Sequence, residues 1–502
     1  MGVMRFLLHP TELIADFPEA HRAFISGLDG RVFPTRVEVD GNVMICRRQS
    51  PDSGKLHVAW PVEGFGRPII TSSSLPERDE PYVLAVELAR GKICRIRDQI
   101  GYWELAGMSV PDDFRALHRE SHRLFARSTS LQHKPEEATQ LANSALALAF
   151  QAAEIVLKSY TNQRLEVRRR KTQQLPASLG CSLGHTVPDS TWATQFNEAF
   201  TAAVIPLEWR MIEKKEGDYQ WDVYDQQVEW CQQNNLLVIG GPLIDLSPEG
   251  MPGWLRQWEH DFFNLQSFVC DFIETAMSRY VGKVRNWEIA SRVNSGGNLA
   301  LNEENRLTLA ARTLEIASQV DDENQLLIGI DQPWGDYQAR GNHHLSPLQF
   351  VDALVRSGAA LSGINLEIGI GYRPRGSASR DTLDFSRMID VWSGLGVPLY
   401  VKLAFPSAAG ADENAISDWE VDRNSWKTPW SEQAQSDWID LYLPLLMAKQ
   451  SVVGIQWAHF SDQTAHQYPH AGLLNANGRA KPALEHIVRV RNEFCRGEEE
   501  GV

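Results

Sequence analysis

The chain has 502 residues, 43% of them hydrophobic and 23% charged, a balance that excludes disordered, collagen-like and disulfide mini-scaffold proteins. At roughly 100–200 residues per domain this length predicts two to four units, one of them large enough for a barrel of about 250 residues or more. A net charge of −15, from 49 basic and 64 acidic residues, argues against a nucleic-acid partner, whose phosphates require Lys/Arg neutralisation. The one dense basic run, Arg168-Arg169-Arg170-Lys171, reads as a solvated helix end. The six cysteines (46, 94, 181, 231, 270 and 495) contain no Cys-x-x-Cys pair, so zinc-ribbon and thioredoxin-like readings fail. The N-terminal apolar run is too short for a signal segment and no stretch approaches a bilayer span, so a cytoplasmic protein with no membrane partner is expected. Sixteen tryptophans offer flat faces for sugar rings, or fill a large core.

Residues 1–108 read as β-rich. Arg36–Val39 and Val43–Ile45 alternate around Asp40-Gly41-Asn42, a hairpin signal, and Lys55–Trp60 and Tyr82–Glu87 resemble further strands. A small β-sandwich or jelly roll is expected. From Val110-Pro111-Asp112-Asp113 the apolar spacing changes to three and four, with Leu141, Ala142, Leu146, Leu148 and Phe150 prominent. Residues 109–175 are therefore read as a helical hairpin, broken near His133-Lys134-Pro135. His118 and His122 flank Glu120 there without the order of a zinc-protease motif, and an exposed helix face explains them.

Between 176 and 495, apolar runs alternate with amphipathic segments. A first strand near Ser182-Leu183-Gly184 precedes runs at Val204–Leu207, Leu237–Gly240, Val284–Ala290, Leu326–Ile330, Ile364–Ile368, Leu399–Leu403 and Val453–Trp457. Eight strand–helix units in about 320 residues fit an α/β fold, a (β/α)8 TIM barrel, whose site lies at the C-terminal ends of its strands. Residues 496–502 read as an acidic tail.

Several segments carry a family likeness. They are Glu213–Tyr219 after the second strand, Met251-Pro252-Gly253-Trp254-Leu255, Arg279-Tyr280 with Val284–Ile289, Glu432-Gln433-Ala434, and above all Trp457, Asp462 and Gly472–Leu484 at the end. In order and spacing the barrel half resembles glycoside hydrolase family 10, the retaining β-1,4-xylanases; the likeness does not extend over residues 1–175. It implies a pair of catalytic glutamates about 5–5.5 Å apart. The family's acid/base ends the motif Trp-Asp-Val-Val-Asn-Glu, which here reads Trp287-Glu288-Ile289-Ala290-Ser291-Arg292, so Arg292 takes its place. The nucleophile's motif, Ile-Thr-Glu-Leu-Asp, aligns on Val401–Phe405 with Leu403 in its place. An arginine cannot shuttle protons near neutrality, so the usual mechanism is not expected. Sugar-gripping positions change too: Pro206-Leu207, Arg210, Gly240-Gly241, Asp245, Glu367 and Gly369 stand where the resemblance implies other residues, and Trp457 alone is kept as a groove aromatic.

Other acids are weighed as substitutes. Glu288, four residues before Arg292, is expected about 13 Å deeper at roughly 3.3 Å per residue, as a paired structural acid. Glu367 is read either as a ligand contact and weak catalytic candidate or as the ion-pair partner of Arg292 or Arg210. Asp331 either contacts a hydroxyl or caps its turn; Asp462, beside His459, either binds ligand or braces its loop. Trp457, Arg292, Arg210, Glu367, Trp334 and His459 form the expected ligand-binding set, for an oligo- or polysaccharide. No metal site is expected from His343-His344 or from His459, His466 and His470, and no cofactor, because nucleotide-cradling and serine-hydrolase motifs are absent. Three functions stay open: a sugar-binding, non-hydrolytic barrel; a glycosidase with a rearranged site using Glu367 with Asp331, Asp462 or Glu288; and an interaction scaffold.

Overall fold

The computed structural model describes residues 2–10, 21–172, 174–189, 192–248, 250–341, 343–423 and 425–495. The acidic tail lies outside the described residues. Among the described residues, eight short strands open the chain: β1 (Gly2–Leu7), β2 (Phe24–Ser26), β3 (Val32–Phe33), β4 (Arg36–Asp40), β5 (Val43–Arg48), β6 (Lys55–Ala59), β7 (Ile69–Thr71) and β8 (Tyr82–Val83). They form two four-stranded sheets, ordered β4-β5-β1-β8 and β3-β2-β6-β7. Met4, Phe6, Met44 and Cys46 of the first sheet share one core with Ile25, Leu56, Val58 and Ile70 of the second. β4 and β5 pair antiparallel around the Asp40–Asn42 turn, with Gly41 at φ 59°, as the hairpin signal requires.

One expectation is corrected. Only Tyr82 and Val83 of the Tyr82–Glu87 run are strand; the chain turns at once into helix α1 (Leu84–Leu105). Its buried residues Leu84, Leu88, Lys92, Ile96, Gln99 and Trp103 recur every three or four positions, a helical stripe that the local alternation of Tyr-Val-Leu-Ala-Val-Glu conceals. Helices α2 (Asp112–Ser130) and α3 (Pro135–Lys171) are the hairpin, with Pro135 in the first turn of the second, where its missing N–H costs nothing. By length and composition α3 alone among the described residues could cross a membrane, but 56% of its apolar window is buried inside the protein, as in a core helix. Ala142, Leu146 and Phe150 of α3 close the β-domain's core, while Ala149, Val156, Tyr160 and Leu165 join the core of the barrel.

Strands β9 (Ser178–Ser182), β10 (Ala202–Ile205), β11 (Leu237–Gly240), β12 (Ile244–Asp245), β13 (Asn286–Ser291), β14 (Gln325–Asp331), β15 (Gly363–Gly369), β16 (Tyr372–Arg373), β17 (Leu399–Ala404), β18 (Glu420–Val421) and β19 (Val452–Trp457) follow. Eight of them, without the two-residue β12, β16 and β18, run parallel and close into a (β/α)8 barrel, β11 pairing with β13 and β19 with β9. The first and fourth barrel strands begin up to four residues away from the expected runs; both shifts are at strand ends, where the apolar pattern is least informative.

Candidate functional site at the barrel mouth

Alternation along each strand sends every second side chain into the barrel. Above the lowest layer (Val204, Ile239 and Leu327, with Tyr400), polar residues replace apolar ones. Asn365 Nδ2 donates to Glu288 Oε2 at 3.0 Å and lies 3.4 Å from Gln456 Oε1. Glu288 fits because its neighbour on β14 is Gly329, where a Cβ would stand 2.2 Å from Glu288 Oε1. Burial first, and then the nearby Glu367 charge, lift the Glu288 carboxyl from about 4.5 to about 7, against the pull of Lys402. Glu288 is thus buried and hydrogen-bonded, but it has no ion-pair partner among the described residues, and it borders the same mouth cavity as Arg292 instead of lying beneath it.

Arg292 stands just past β13 with a left-handed backbone (φ 56°) that carries its side chain over this layer. It is 2% exposed. Nη1 donates to Asp245 Oδ2 at 2.7 Å, and Nη2 donates to Glu367 and to Gln467 Oε1 at 2.8 Å. The guanidinium also lies 5.6 Å from the Trp419 ring centre. Burial works against its charge, but Asp245 and Glu367 more than restore it. Glu367 accepts a further hydrogen bond from the Tyr468 hydroxyl. Gly369 makes room for that ring, since a Cβ there would lie 2.7 Å from Tyr468 Cε1. Burial would raise the Glu367 pKa, yet Arg292 and Lys402 hold it at about 2. Of the two readings of Glu367, the ion pair with Arg292 is the one observed.

Asp331, the register partner of Glu367 on β14, accepts from Ser295 Oγ at 3.0 Å and Gln332 Nε2 at 3.2 Å, and burial followed by Glu367 lifts it to about 6. Both carboxyls sit behind Arg292 and Tyr468, and neither borders the open cavity of about 100 Å³ at the mouth. Three other acids do: Glu208, Asp245 and Glu288. Glu208 accepts from Arg210 Nε at 2.8 Å and lies 3.5 Å from His185 Nε2; burial opposes its charge, but these two cations hold it at about 2.

The seventh barrel strand requires a correction. Lys402 lines the cavity, with Nζ 5.8 Å from the Tyr468 ring centre, whereas Leu403 faces the other way, into the core shared with the outer helices. The lumen-facing residue is the lysine, one position before the expected one. Trp457 also borders the cavity, though most of its ring is buried. It is 4% exposed, its indole N–H donates to Ala471 O at 2.7 Å, and its ring packs beside Trp438 of the helix Glu432–Ala448. Trp334 is not at the mouth at all; it lies in the seam between β-domain and barrel, beside Arg380 and Phe385.

Asp462 braces its loop. It accepts from Gly472 N at 2.7 Å and Lys481 Nζ at 2.6 Å, and lies 3.0 Å from His459 Nε2. His459, Asp462 and His466 bring ligand atoms within 4.8 Å of one another, a spacing that suits a metal. The chemistry does not, because Lys481 already fills the cation's place on Asp462. His466 spends both nitrogens, on Thr464 O at 2.7 Å and Asp412 Oδ2 at 3.0 Å. His343 packs edge-on against Tyr337, and His344 donates its backbone amide to Glu303, both away from the mouth. The composite site is therefore His185, Glu208, Arg210, Asp245, Glu288, Arg292, Lys402, Gln456, Trp457, His459, Gln467 and Tyr468. Sequence reasoning missed His185, Glu208, Lys402, Gln456, Gln467 and Tyr468. A visible signal existed for Lys402, a charge inside the apolar run Leu399–Ala404, and for Glu208, two residues before Arg210.

This is a (β/α)8 barrel with a charge-bridged mouth. Residues 183–304 match the family model of glycosyl hydrolase family 10. Endo-1,4-beta-xylanase B of Thermotoga neapolitana is 22% identical over 198 residues, covering 39% of this chain and 54% of that protein. Endo-1,4-beta-xylanase 3 of Hypocrea jecorina is 28% identical over 102 residues, covering 20% and 28%. The chain thus matches about half, or less, of the length of these curated relatives. Among solved structures, native xylanase 10B from Thermotoga maritima is similar with a TM-score of 0.49 and 17% identity, over 65% of this chain and 98% of that one. Xylanase 10B from Thermotoga petrophila RKU-1 in complex with xylobiose gives 0.47 and 18%, over 65% and 96%.

Proposed function

We propose that the barrel binds a short saccharide at its mouth without hydrolysing it. The observation that carries this reading is that cations occupy the lumen-facing positions ending the fourth and seventh barrel strands, Arg292 and Lys402. A retaining glycosidase needs two free carboxyl groups facing one sugar. Here Arg292 ties up Asp245 and Glu367 together. The polar lining supports a hydroxyl-rich ligand: Gln456 Nε2, Ser291 Oγ, Arg292 Nε and His459 Nδ1 are buried and without hydrogen-bond partners. Six unpaired cysteines support a cytoplasmic setting, where thiols stay reduced.

The test is to incubate the protein with xylo- and gluco-oligosaccharides and aryl β-glycosides, following both product release and tryptophan fluorescence. Saturable quenching without turnover is expected, with affinity falling at least about tenfold in Lys402→Met, as for loss of one charge-assisted hydrogen bond. Turnover that disappears in Glu288→Gln or Glu367→Gln would instead establish a hydrolase with a rearranged site. The first of these has a specific basis, since Glu288 at about 7 and Glu208 at about 2 divide acid and base character within one cavity.

A further inference from the structure

A second cavity, of about 260 Å³, lies where the β-domain meets the outer wall of the barrel. Lys55 and His57 of β6 and Arg95 of α1 face Trp334, Arg380 and Arg387 of the barrel across it. Its charges do not balance. Arg95 Nη1 is neutralised by Asp384 Oδ1 at 2.8 Å, and Arg380 by Asp336, which lies outside the cavity, at 2.6 and 2.8 Å. Arg387 hydrogen-bonds the neutral Gln99, Oε1 at 3.2 Å, and makes no ion pair among the described residues, although its charge helps to hold the Asp384 carboxyl low. Lys55 has no ion-pair partner among the described residues, and the exposed Asp29 is the one other acid on the wall. Burial, then Arg95 and Arg387, lower the Lys55 pKa against the pull of Asp29, so the cations are close enough to repel.

Two further features point inward. Arg380 Nε is buried and lacks a hydrogen-bond partner. The N-terminus of the helix Pro347–Arg356 forms one side; Pro347 has no N–H and Ser346 Oγ caps the Gln349 amide, so the end contributes only its dipole. His57 is fixed against Ser26 Oγ at 2.8 Å and Thr71 Oγ1 at 3.0 Å, and burial holds it neutral. It makes a polar wall that adds no charge. Three segments distant in sequence thus bring Lys55, Arg95, Arg380 and Arg387 to one place where Asp29 and Asp384 are the only carboxylates among the described lining residues, at a domain seam where ligand sites commonly form.

We propose that this seam cavity binds the phosphoryl or carboxylate group of a small organic anion, with Lys55 and Arg387 as its charge-bearing contacts. The inference is independent of the barrel mouth.

The experiment titrates the full chain with inorganic phosphate, glucose 6-phosphate, glucuronate and glucose at matched ionic strength, reading calorimetric binding and melting temperature. At least one anion is expected to bind saturably and raise the melting temperature, and glucose is not. Tighter glucose 6-phosphate than glucuronate would identify a phosphoryl ligand, and the reverse a carboxylate. In the double variant Lys55→Gln/Arg387→Gln the anion affinity should fall at least tenfold, while melting without anion stays level or rises as repulsion is relieved. Absence of saturable binding by all three anions would overturn the proposal, as would binding unchanged in the variant. A variant that melts markedly lower without anion would also overturn it, because the cations would then be interdomain struts.

Discussion

Arg292 and Glu367, from the ends of the fourth and sixth barrel strands, form a buried ion pair that Asp245 and Tyr468 complete from either side. Removing one partner of such a pair leaves an uncompensated charge, which costs about 3–5 kcal/mol. Arg292→Met is therefore expected to lower the unfolding free energy by that amount, read as a lower urea midpoint with an unchanged slope. Arg292→Lys should lose much of it too, since an ammonium cannot fork between two carboxylates. Loss of under about 1 kcal/mol in the Met variant would show that the bridge is dispensable.

The Glu288 carboxyl gives stability an unusual pH dependence. Its folded pKa, about 7, lies above the unfolded value of about 4.5, so between these limits the folded state holds the extra proton. Stability from this group is full below about pH 4.5 and falls as pH rises through 7. The loss amounts to about 3 kcal/mol at 1.36 kcal/mol per unit. Glu288→Gln should flatten the stability curve between pH 5 and 8, measured by urea titration at stepped pH; an unchanged curve would place the proton elsewhere. In Lys402→Met the fall should shift to higher pH, because Lys402 opposes the rise.

The parity of β17 makes a direct contrast. Leu403→Glu inserts an unpaired charge into the core outside the barrel wall and should destabilise by at least about 3 kcal/mol or prevent soluble expression. Lys402→Met, on the cavity side, should fold. Circular dichroism melts of the two variants check this. A stable, folded Leu403→Glu would mean that position 403 faces the lumen after all.

Much of the barrel was legible because buried parallel strands are nearly continuous apolar runs, such as Ile364–Ile368 and Val453–Trp457. Which face each residue takes was not. The β17–β19 register shifts between Leu399 and Tyr400, and an irregularity of that kind exchanges inward and outward positions without leaving a trace in composition. That irregularity lies in β19; β17 itself runs unbroken beside β15, with Leu403 one position past the lumen-facing Lys402, and its register partner Trp457 borders the mouth. The partners of Arg292 were hidden for another reason. Asp245 and Gln467 lie 47 and 175 residues away and meet it only through barrel closure.

The histidine cluster gives a metal test. With Lys481 seated on Asp462 and both His466 nitrogens engaged, EDTA or added zinc should leave the melting temperature unchanged. In Lys481→Met the vacated carboxylate should gain zinc-dependent stabilisation. A chelator-sensitive parent protein would contradict the arrangement.

Backbone hydrogen bonds cross from the β-domain to the barrel loops: Thr35 N to Ala339 O at 3.3 Å, Arg67 N to Ser425 O at 2.9 Å and Ile69 N to Ser379 O at 2.9 Å. The seam also buries the Lys92–Asp381 ion pair. Cutting the chain between these parts would strand amides, carbonyls and a charge on each raw face. The barrel is thus not an exchangeable module that can be trimmed down to the length of its relatives. Heating should melt both parts in one calorimetric peak, and a barrel expressed alone should be insoluble.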